Sequence, residues 1–338
     1  MLDRISPTTL RLLALGVVIA LLLVFFSTQI ENYLMPNLFN RISTSVAIIA
    51  LIATGQALVM LTRNIDLSLG SVCGFVAFFV GALVSGYPEL PPVLVVLAAI
   101  GMGAVLGAIN GALVAYARIP AIIVTLGSLA IFRSLLVQFS GARSITTNSL
   151  PAWLLDLPRT SILSIGGLEL RVSFFITLLV VLAVHLALTR LRLGRRFFAV
   201  GSNPEAAAFA GIDAARTVFI AFIMSGALTG LAGFMFLSRF GNITVVAGLG
   251  FELQSVAAAV VGGVSIMGGS GSVIGALLGA ITVDLLQTSL SRWDLVSEFW
   301  REAVLGFLIL LSVTADALLM SRLMAVRARR AREKGADK

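Results

Sequence analysis

Long apolar segments separated by short polar connections recur along almost the whole of this 338-residue chain. A helix needs about 20 apolar residues to cross the hydrocarbon core of a bilayer. Segments near that length lie around residues 10–28, 42–62, 66–86, 92–117, 121–141, 172–190, 216–239, 251–266, 271–290 and 300–320. The sequence therefore predicts an all-α membrane protein, a bundle of about ten transmembrane helices that forms a single domain over residues 1–338.

The distribution of charge predicts the topology of this bundle. Only 12% of the residues are charged and the formal net charge is +8, but the arginines gather at the ends of apolar segments and in the tail, residues 322–338. This pattern is typical of positive-inside topology and not of a nucleic-acid surface. With the N-terminus inside, Arg63, Arg118, the loop 190–216 and the tail all become cytoplasmic, as do both termini. The tail would also attract anionic membrane lipid.

Three scarce residue types exclude several activities. The only lysines, Lys334 and Lys338, lie in the tail, so the chain has no Gly-rich phosphate loop ending in Gly-Lys-Ser/Thr and no ATPase site of that kind. His185 is the single histidine, which excludes zinc sites built on paired histidines. Cys73 is alone, so no disulfide can form within the chain. We expect no cofactor, no metal and no enzymatic activity in this subunit.

A basic segment after the sixth apolar run carries helix start and stop signals. Arginines close the run at positions 190, 192, 195 and 196 and place the following loop in the cytoplasm. Asn203 can cap the N-terminus of a helix, Pro204 fits the first helical position, and Glu205 favours the positive end of the dipole. Ala206 to Ala208 propagate this helix, and Gly211 can end it. Because so short a helix is marginal in water, we expect it to dock on a partner chain.

The order of residues in this segment resembles the coupling segment of the ribose-type family of ABC permeases. Three further stretches agree with that family, residues 64–71, 118–127 and 261–271, so that the resemblance extends from about Ala47 to Asp316. Among the branches of this family, the sequence most resembles the rhamnose and autoinducer-2 permeases in the stretch from Met60 to Asp66 and in the pair Phe299–Trp300. The residues that the resemblance assigns to ATPase coupling are Gly194, Gly201, Asn203, Pro204, Glu205, Ala206, Ala207 and Gly211.

The resemblance implies a bacterial inner-membrane importer in which this chain is the permease. ATP would be bound by separate ABC ATPase subunits. A second permease subunit, identical or paralogous, would complete the pathway, and a periplasmic sugar-binding protein would deliver a small neutral sugar of the rhamnose, ribose or autoinducer-2 kind. The alternative from another class is a secondary sugar transporter driven by an ion gradient. A serine protease using Ser270 and His185 is a remote third possibility.

Polar side chains within or beside apolar segments are costly in lipid and are therefore candidates for the solute pathway. Amides and hydroxyls dominate this set, which favours a neutral sugar over a charged solute. Each could instead make only an interhelical hydrogen bond, and Asp66 could simply cap the third span. Asp284 and Gln287 stand three positions apart, so both can point into the bundle. The candidates are Gln56, Asp66, Ser68, Asn110, Thr125, Asp284 and Gln287.

Two sets of glycines at four-residue spacing predict close helix packing. Gly103, Gly107 and Gly111 lie in the fourth span, and Gly271, Gly275 and Gly279 are expected in the ninth. Spans five apart run in opposite directions, as inverted repeats of spans two to five and seven to ten require. The alternative is that both sets are only packing faces. The longest polar connection, 141–172, is expected to be an irregular extracytoplasmic cap between the halves.

Overall fold

The computed structural model describes residues 7–293, 297, 300, 302–311 and 314. The predicted basic tail, 322–338, lies outside this part of the chain. The helices of the first half are α1 (Pro7–Gln29), α2 (Pro36–Leu61), α3 (Leu69–Gly86), α4 (Pro92–Ala115), α5 (Ala121–Ser140) and α6 (Ala152–Asp156). A two-stranded sheet, β1 (Ser161–Ile165) and β2 (Leu168–Arg171), follows. The later helices are α7 (Val172–Arg190), α8 (Arg192–Ser202), α9 (Pro204–Phe209), α10 (Ala214–Phe240), α11 (Phe251–Val261), α12 (Val273–Leu290) and α13 (Glu302–Leu311).

The expected all-α membrane bundle is confirmed. Within the described residues, eight helices are long and apolar enough to cross a membrane: α1 to α5, α7, α10 and α12. The other two predicted crossings coincide with the shorter apolar helices α11 and α13. With 11 residues, α11 is roughly 16 Å long, about half of a hydrocarbon core. The number ten therefore stays a prediction.

Helix α2 forms the centre of the molecule. Every residue from Val46 to Leu61 is buried, and the helix packs against α7, α10, α11 and α12. A helix that is apolar around its whole circumference has no face to offer to water, so it is surrounded by other helices. Two non-helical segments precede helices inside the bundle: residues 62–68 before α3, the first break, and residues 241–250 before α11, the second break. The two helices that follow them, α3 and α11, also contact each other.

The predicted close packing of glycines is present in α4. A Cβ atom added to Gly103 would lie 2.2 Å from the Gly226 carbonyl oxygen, and one on Gly107 would lie 2.3 Å from that of Phe222. The backbones of α4 and α10 therefore touch, as small residues permit in lipid. In α12, Gly275 and Gly279 approach the C-terminal end of α11 in the same manner. Gly271 differs from the prediction, because it precedes α12 in a loop at φ +146°.

The connection between α5 and α7 is more ordered than predicted. It contains a single 3₁₀ turn (Thr147–Ser149), α6, and an antiparallel hairpin in which Ile165 pairs with Leu168 across the two-residue turn Gly166–Gly167. Both glycines have positive φ, +58° and +84°, the conformation that a tight two-residue hairpin turn requires. The prediction of an irregular cap was wrong for residues 161–171.

Candidate functional site

The basic segment after α7 folds as two short helices instead of one. Helix α8 was not predicted, although its apolar side is legible: Gly194, Phe197, Val200 and Gly201 are buried on one face, and the arginines lie elsewhere. The Arg-rich composition was interpreted only as a membrane boundary, so the apolar face of this helix was not recognised. Gly194 is required because a Cβ atom there would lie 2.2 Å from the Leu188 carbonyl oxygen. Thus α8 packs back on the end of α7.

Helix α9 has the predicted caps. The Asn203 side chain accepts a hydrogen bond from the Ala206 backbone N–H (3.0 Å), Pro204 occupies the first turn, and Gly211 follows the helix at φ +75°. Ala207 is buried, whereas Glu205 and Ala206 are exposed. The helix therefore lies on the surface of the chain, as the prediction required.

Phe209, at the end of α9, was missed by the sequence reasoning. Its side chain is 95% exposed, the highest value among the exposed large hydrophobic residues of the described chain. A single exposed apolar residue is common, but this one ends a short capped helix that has almost no buried surface of its own. The available signal was a large aromatic residue at the end of a short helix made otherwise of proline, glutamate and alanine.

The coupling segment, α8 with α9, is bonded to the break after α2. Arg63 donates from Nε to the Gly201 carbonyl (2.5 Å) and from Nη2 to that of Ser202 (2.7 Å). The Gly269 N–H donates to the Leu61 carbonyl (3.1 Å). The ends of α2 and α8 and the loop between α11 and α12 therefore meet at one end of the bundle, where the sequence placed Arg63 and the loop 190–216 together.

A chain of hydrogen bonds joins this break to two further helices. The Asp66 carboxylate accepts from the Ser68 N–H (2.9 Å) and from its hydroxyl (2.6 Å). Asn110 on α4 donates to the Ser68 hydroxyl (2.8 Å), and Ser128 on α5 donates to the Asn110 side-chain oxygen. Thr125, also on α5, contacts the Ile65 carbonyl at 3.4 Å. Four of the predicted pathway residues, Asp66, Ser68, Asn110 and Thr125, thus lie around one break.

One interpretation of the sequence was that Asp66 caps the N-terminus of α3. The structure shows that it does not cap this helix directly. The N-cap residue of α3 is Ser68, without a side-chain cap, and Asp66 instead closes a turn two residues ahead of it. Asp66 lies outside the helices and is buried, with 1% of its surface exposed. Burial raises the pKa of this carboxyl to about 6, and the bonds from Ser68 only partly oppose that effect.

A second break, residues 241–250, connects α10 to α11. Arg133 on α5 holds it by donating from Nη1 to the carbonyls of Ala247 (2.6 Å) and Val245 (3.0 Å). Gly248, at φ +74°, approaches Gly70 so closely that a Cβ atom would lie 2.2 Å from the Gly70 carbonyl. The second break therefore touches the first turn of α3, the helix that follows the first break. Irregular backbone of this kind persists in a membrane protein because protein groups satisfy it.

Asp284 and Gln287 line a polar cavity of about 240 Å³ between α2, α10, α11 and α12. Asp284 accepts a hydrogen bond from Ser45 on α2 (2.5 Å). The other polar residues that line this cavity were not among the candidates: Ser45, Arg239, Gln254, Thr288 and Ser291. The signal for Arg239 was available, since an arginine two residues before Gly241 lies inside an apolar segment. The Arg239 guanidinium lies 5.2 Å from the Phe240 ring centroid.

Gln56 belongs to neither cluster. It is fully buried within α2, and neither side-chain atom has a hydrogen-bond partner among the described residues. The structure therefore divides the seven predicted pathway residues into a group of four at the first break, a pair in the cavity, and Gln56 alone.

Comparisons with known proteins agree with this architecture. Residues 37–313 match the model of the family described as "Branched-chain amino acid transport system / permease component". The chain is 34% identical over 301 residues to the "Autoinducer 2 import system permease protein LsrC" of Salmonella typhi, covering 89% of this chain and 84% of that protein. It is 39% identical over 292 residues to the protein of that name from Enterobacter sp. (strain 638), covering 86% and 82%.

No solved structure matches the chain. The relatives carry the name of an autoinducer-2 system, whereas the family model is named after branched-chain amino acids, so the family name alone does not define the solute. The match spans both breaks, the coupling segment and the cavity. The chain therefore belongs to this family of multi-pass membrane permeases, the ribose-type ABC permeases that its four sequence motifs indicated.

Proposed function

We propose that this chain is the permease subunit of a bacterial ABC importer for a small neutral polyhydroxylated solute, a sugar or an autoinducer-2-like molecule. The single observation that carries this proposal is the coupling segment. It is capped and rigidly bonded to the bundle, yet α9 and Phe209 are left exposed. A groove on a separate ATPase would cover them.

In this proposal the ATPase moves α9, and the bundle responds at the break after α2. The coupling segment is joined to that break by hydrogen bonds between backbone groups and Arg63. The end of the bundle that holds α9 is then cytoplasmic, and the hairpin β1–β2 faces the periplasm and the delivery protein. A second permease, identical or paralogous, would complete the pathway.

The polar cavity supports a neutral solute. Its lining contains one carboxylate and one guanidinium, from Asp284 and Arg239, together with amides and hydroxyls. These groups donate and accept hydrogen bonds without a net charge of either sign, and such groups set orientation in small-molecule sites. The family relatives named for autoinducer-2 import support the same class of solute.

Replacing Phe209 with aspartate tests the proposal. Because the side chain is 95% exposed, the change should leave membrane insertion and thermal stability unaltered. If Phe209 is the aromatic anchor of the interface, it contributes about 2 kcal/mol or more. Since tenfold in affinity corresponds to about 1.4 kcal/mol, we expect the ATPase to be captured at least about tenfold more weakly. Co-purification from detergent with the proposed ABC ATPase partner measures this.

A matched control is Ile162→Asp on β1, which places the same charge on another exposed apolar position. This variant should capture the ATPase normally. Equal capture by the Phe209 variant and the unmodified chain would contradict a role for α9 in docking.

A further inference from the structure

The Arg63 side chain bonds to the backbone of the coupling segment. Its guanidinium uses two nitrogens, Nε and Nη2, on two successive carbonyls, those of Gly201 and Ser202. A planar guanidinium makes such paired bonds in a fixed geometry, which a lysine ammonium does not reproduce. The last residues of α8 are therefore held at a defined distance from the end of α2.

Close glycine contacts lock the same junction. A Cβ atom on Gly201 would lie 1.8 Å from the Leu61 carbonyl oxygen, and one on Gly269 would lie 2.6 Å from the Ser202 nitrogen. Gly268 similarly leaves room for Arg63. Three separate segments of backbone thus touch at this point, so a displacement of α8 must move the residues beside it.

Arg63 also begins the segment that carries the buried network. Three residues later, Asp66 bonds to Ser68, which in turn accepts from Asn110 on α4. The side chain of Arg63 points to the coupling segment, and its backbone leads into the break. Arg63 therefore connects the end of α8, directly before the exposed helix α9, to the buried hydrogen bonds among Asp66, Ser68 and Asn110.

We propose that Arg63 is a positioning residue for transport: it transmits the displacement of the coupling segment to the break at residues 62–68 and through it to α4 and α5. This inference rests on the proposed function. It assigns to Arg63 a role in coupling ATP hydrolysis to solute movement, distinct from docking of the ATPase, which belongs to the exposed surface of α9.

The backbone at Arg63 permits a test that separates side chain from fold. Arg63 has φ +67°, a left-handed conformation that glycine adopts without cost. Arg63→Gly therefore removes the guanidinium while favouring the existing turn. Arg118, at the end of α4, also has positive φ, +57°, and its side chain is exposed. Arg118→Gly is the matched control.

The measurement uses the complete transporter, with ATPase and delivery protein, in liposomes supplied with ATP and radiolabelled D-ribose, L-rhamnose or autoinducer-2. We expect Arg63→Gly to retain ATPase capture and ATP hydrolysis but to move about tenfold fewer solute molecules per ATP, because hydrogen bonds to a charged group are lost. Arg63→Lys should recover part of this ratio. Arg118→Gly should match the unmodified transporter.

The possible outcomes distinguish this inference from the function on which it rests. An unchanged ratio of solute to ATP in Arg63→Gly would overturn the positioning role and leave the importer function standing. Loss of ATPase capture in that variant would also overturn it, since Arg63 would then serve docking. Failure of the unmodified complex to use ATP for uptake would instead refute the importer function.

Discussion

Individual residues were predictable where the backbone alone dictates their role. Asn203 and Pro204 were assigned to the start of α9 from the local sequence, and the structure confirms both, because a helix cap depends on neighbours within a few residues. Arg63 and Arg239 were not assigned a role. Their partners lie far away in sequence, Gly201 for Arg63 and the cavity for Arg239. The local sequence could therefore mark Arg239 as an arginine in an apolar segment but could not reveal what either side chain contacts.

Asp66 gives a prediction for pH dependence. Burial raises its pKa from 3.8 to about 6, so the folded protein binds this proton more tightly than the unfolded chain does. The resulting stabilisation is fully present below pH ~3.8 and is lost as the pH rises through about 6. Its magnitude is at most about 3 kcal/mol.

The substitution Asp66→Asn keeps an oxygen acceptor for Ser68 and removes the titration. We expect the thermal midpoint of the unmodified protein to fall more between pH ~4.5 and pH ~7.5 than that of the variant. Thermal unfolding of both proteins in the same detergent at each pH measures this. Identical pH dependence of the two midpoints would show that Asp66 does not titrate in this range.

At the scale of helices and strands, the apolar segments of the sequence located the long helices. A run of about 20 apolar residues can cross lipid only as a helix or as part of a closed barrel, so few structures compete with a spanning helix. The sequence reasoning failed for short elements. Helix α8 was hidden by its arginines, and the hairpin β1–β2 was read as irregular despite its Gly166–Gly167 turn. In both elements the decisive signal occupies only a few positions, and tertiary packing stabilises the rest.

The contact between α4 and α10 gives a prediction at this scale. Gly107→Ala would place a methyl group 2.3 Å from the Phe222 carbonyl oxygen and 3.0 Å from the Gly226 Cα atom, so the two helices must separate. Overpacking of this kind costs typically about 1–3 kcal/mol. We expect a lower thermal midpoint and a lower yield of folded protein in detergent.

Gly101→Ala is the control on the same helix, because a Cβ atom there has no neighbour within 4 Å. This variant should be as stable as the unmodified protein or slightly more so, since alanine favours helix over glycine. If both substitutions left the midpoint unchanged, the backbones of α4 and α10 would not be in contact.

At the scale of the molecule, the chain presents one arrangement twice. A long helix, a non-helical break, a second helix and a glycine-bearing helix follow in order as α2, 62–68, α3 and α4, and again as α10, 241–250, α11 and α12. The second break meets the start of α3, the helix after the first break, where Gly248 touches Gly70. This order supports the inverted-repeat hypothesis, and broken helices near such a meeting point are typical of solute sites in transporters.

The polar cavity beside the second break gives the last prediction. If it receives the solute, Asp284→Asn and Gln287→Ala should each raise the solute concentration needed for half-maximal uptake about tenfold. Asp284→Asn replaces a charged acceptor oxygen with an NH2 donor, and Gln287→Ala removes the side-chain amide. Capture of the ATPase should remain normal, since both residues line the cavity and neither belongs to the exposed surface of α9. Uptake of radiolabelled D-ribose, L-rhamnose and autoinducer-2 by the complete transporter in liposomes measures this.

Thr282→Ala is the control: Thr282 lies on α12 but lines a separate, apolar cavity beside α1, so its uptake curve should be unchanged. Unaltered uptake in both cavity variants would place the solute elsewhere and leave Asp284 as a partner of Ser45 only. Uptake driven by a proton or sodium gradient without ATPase would favour a secondary transporter.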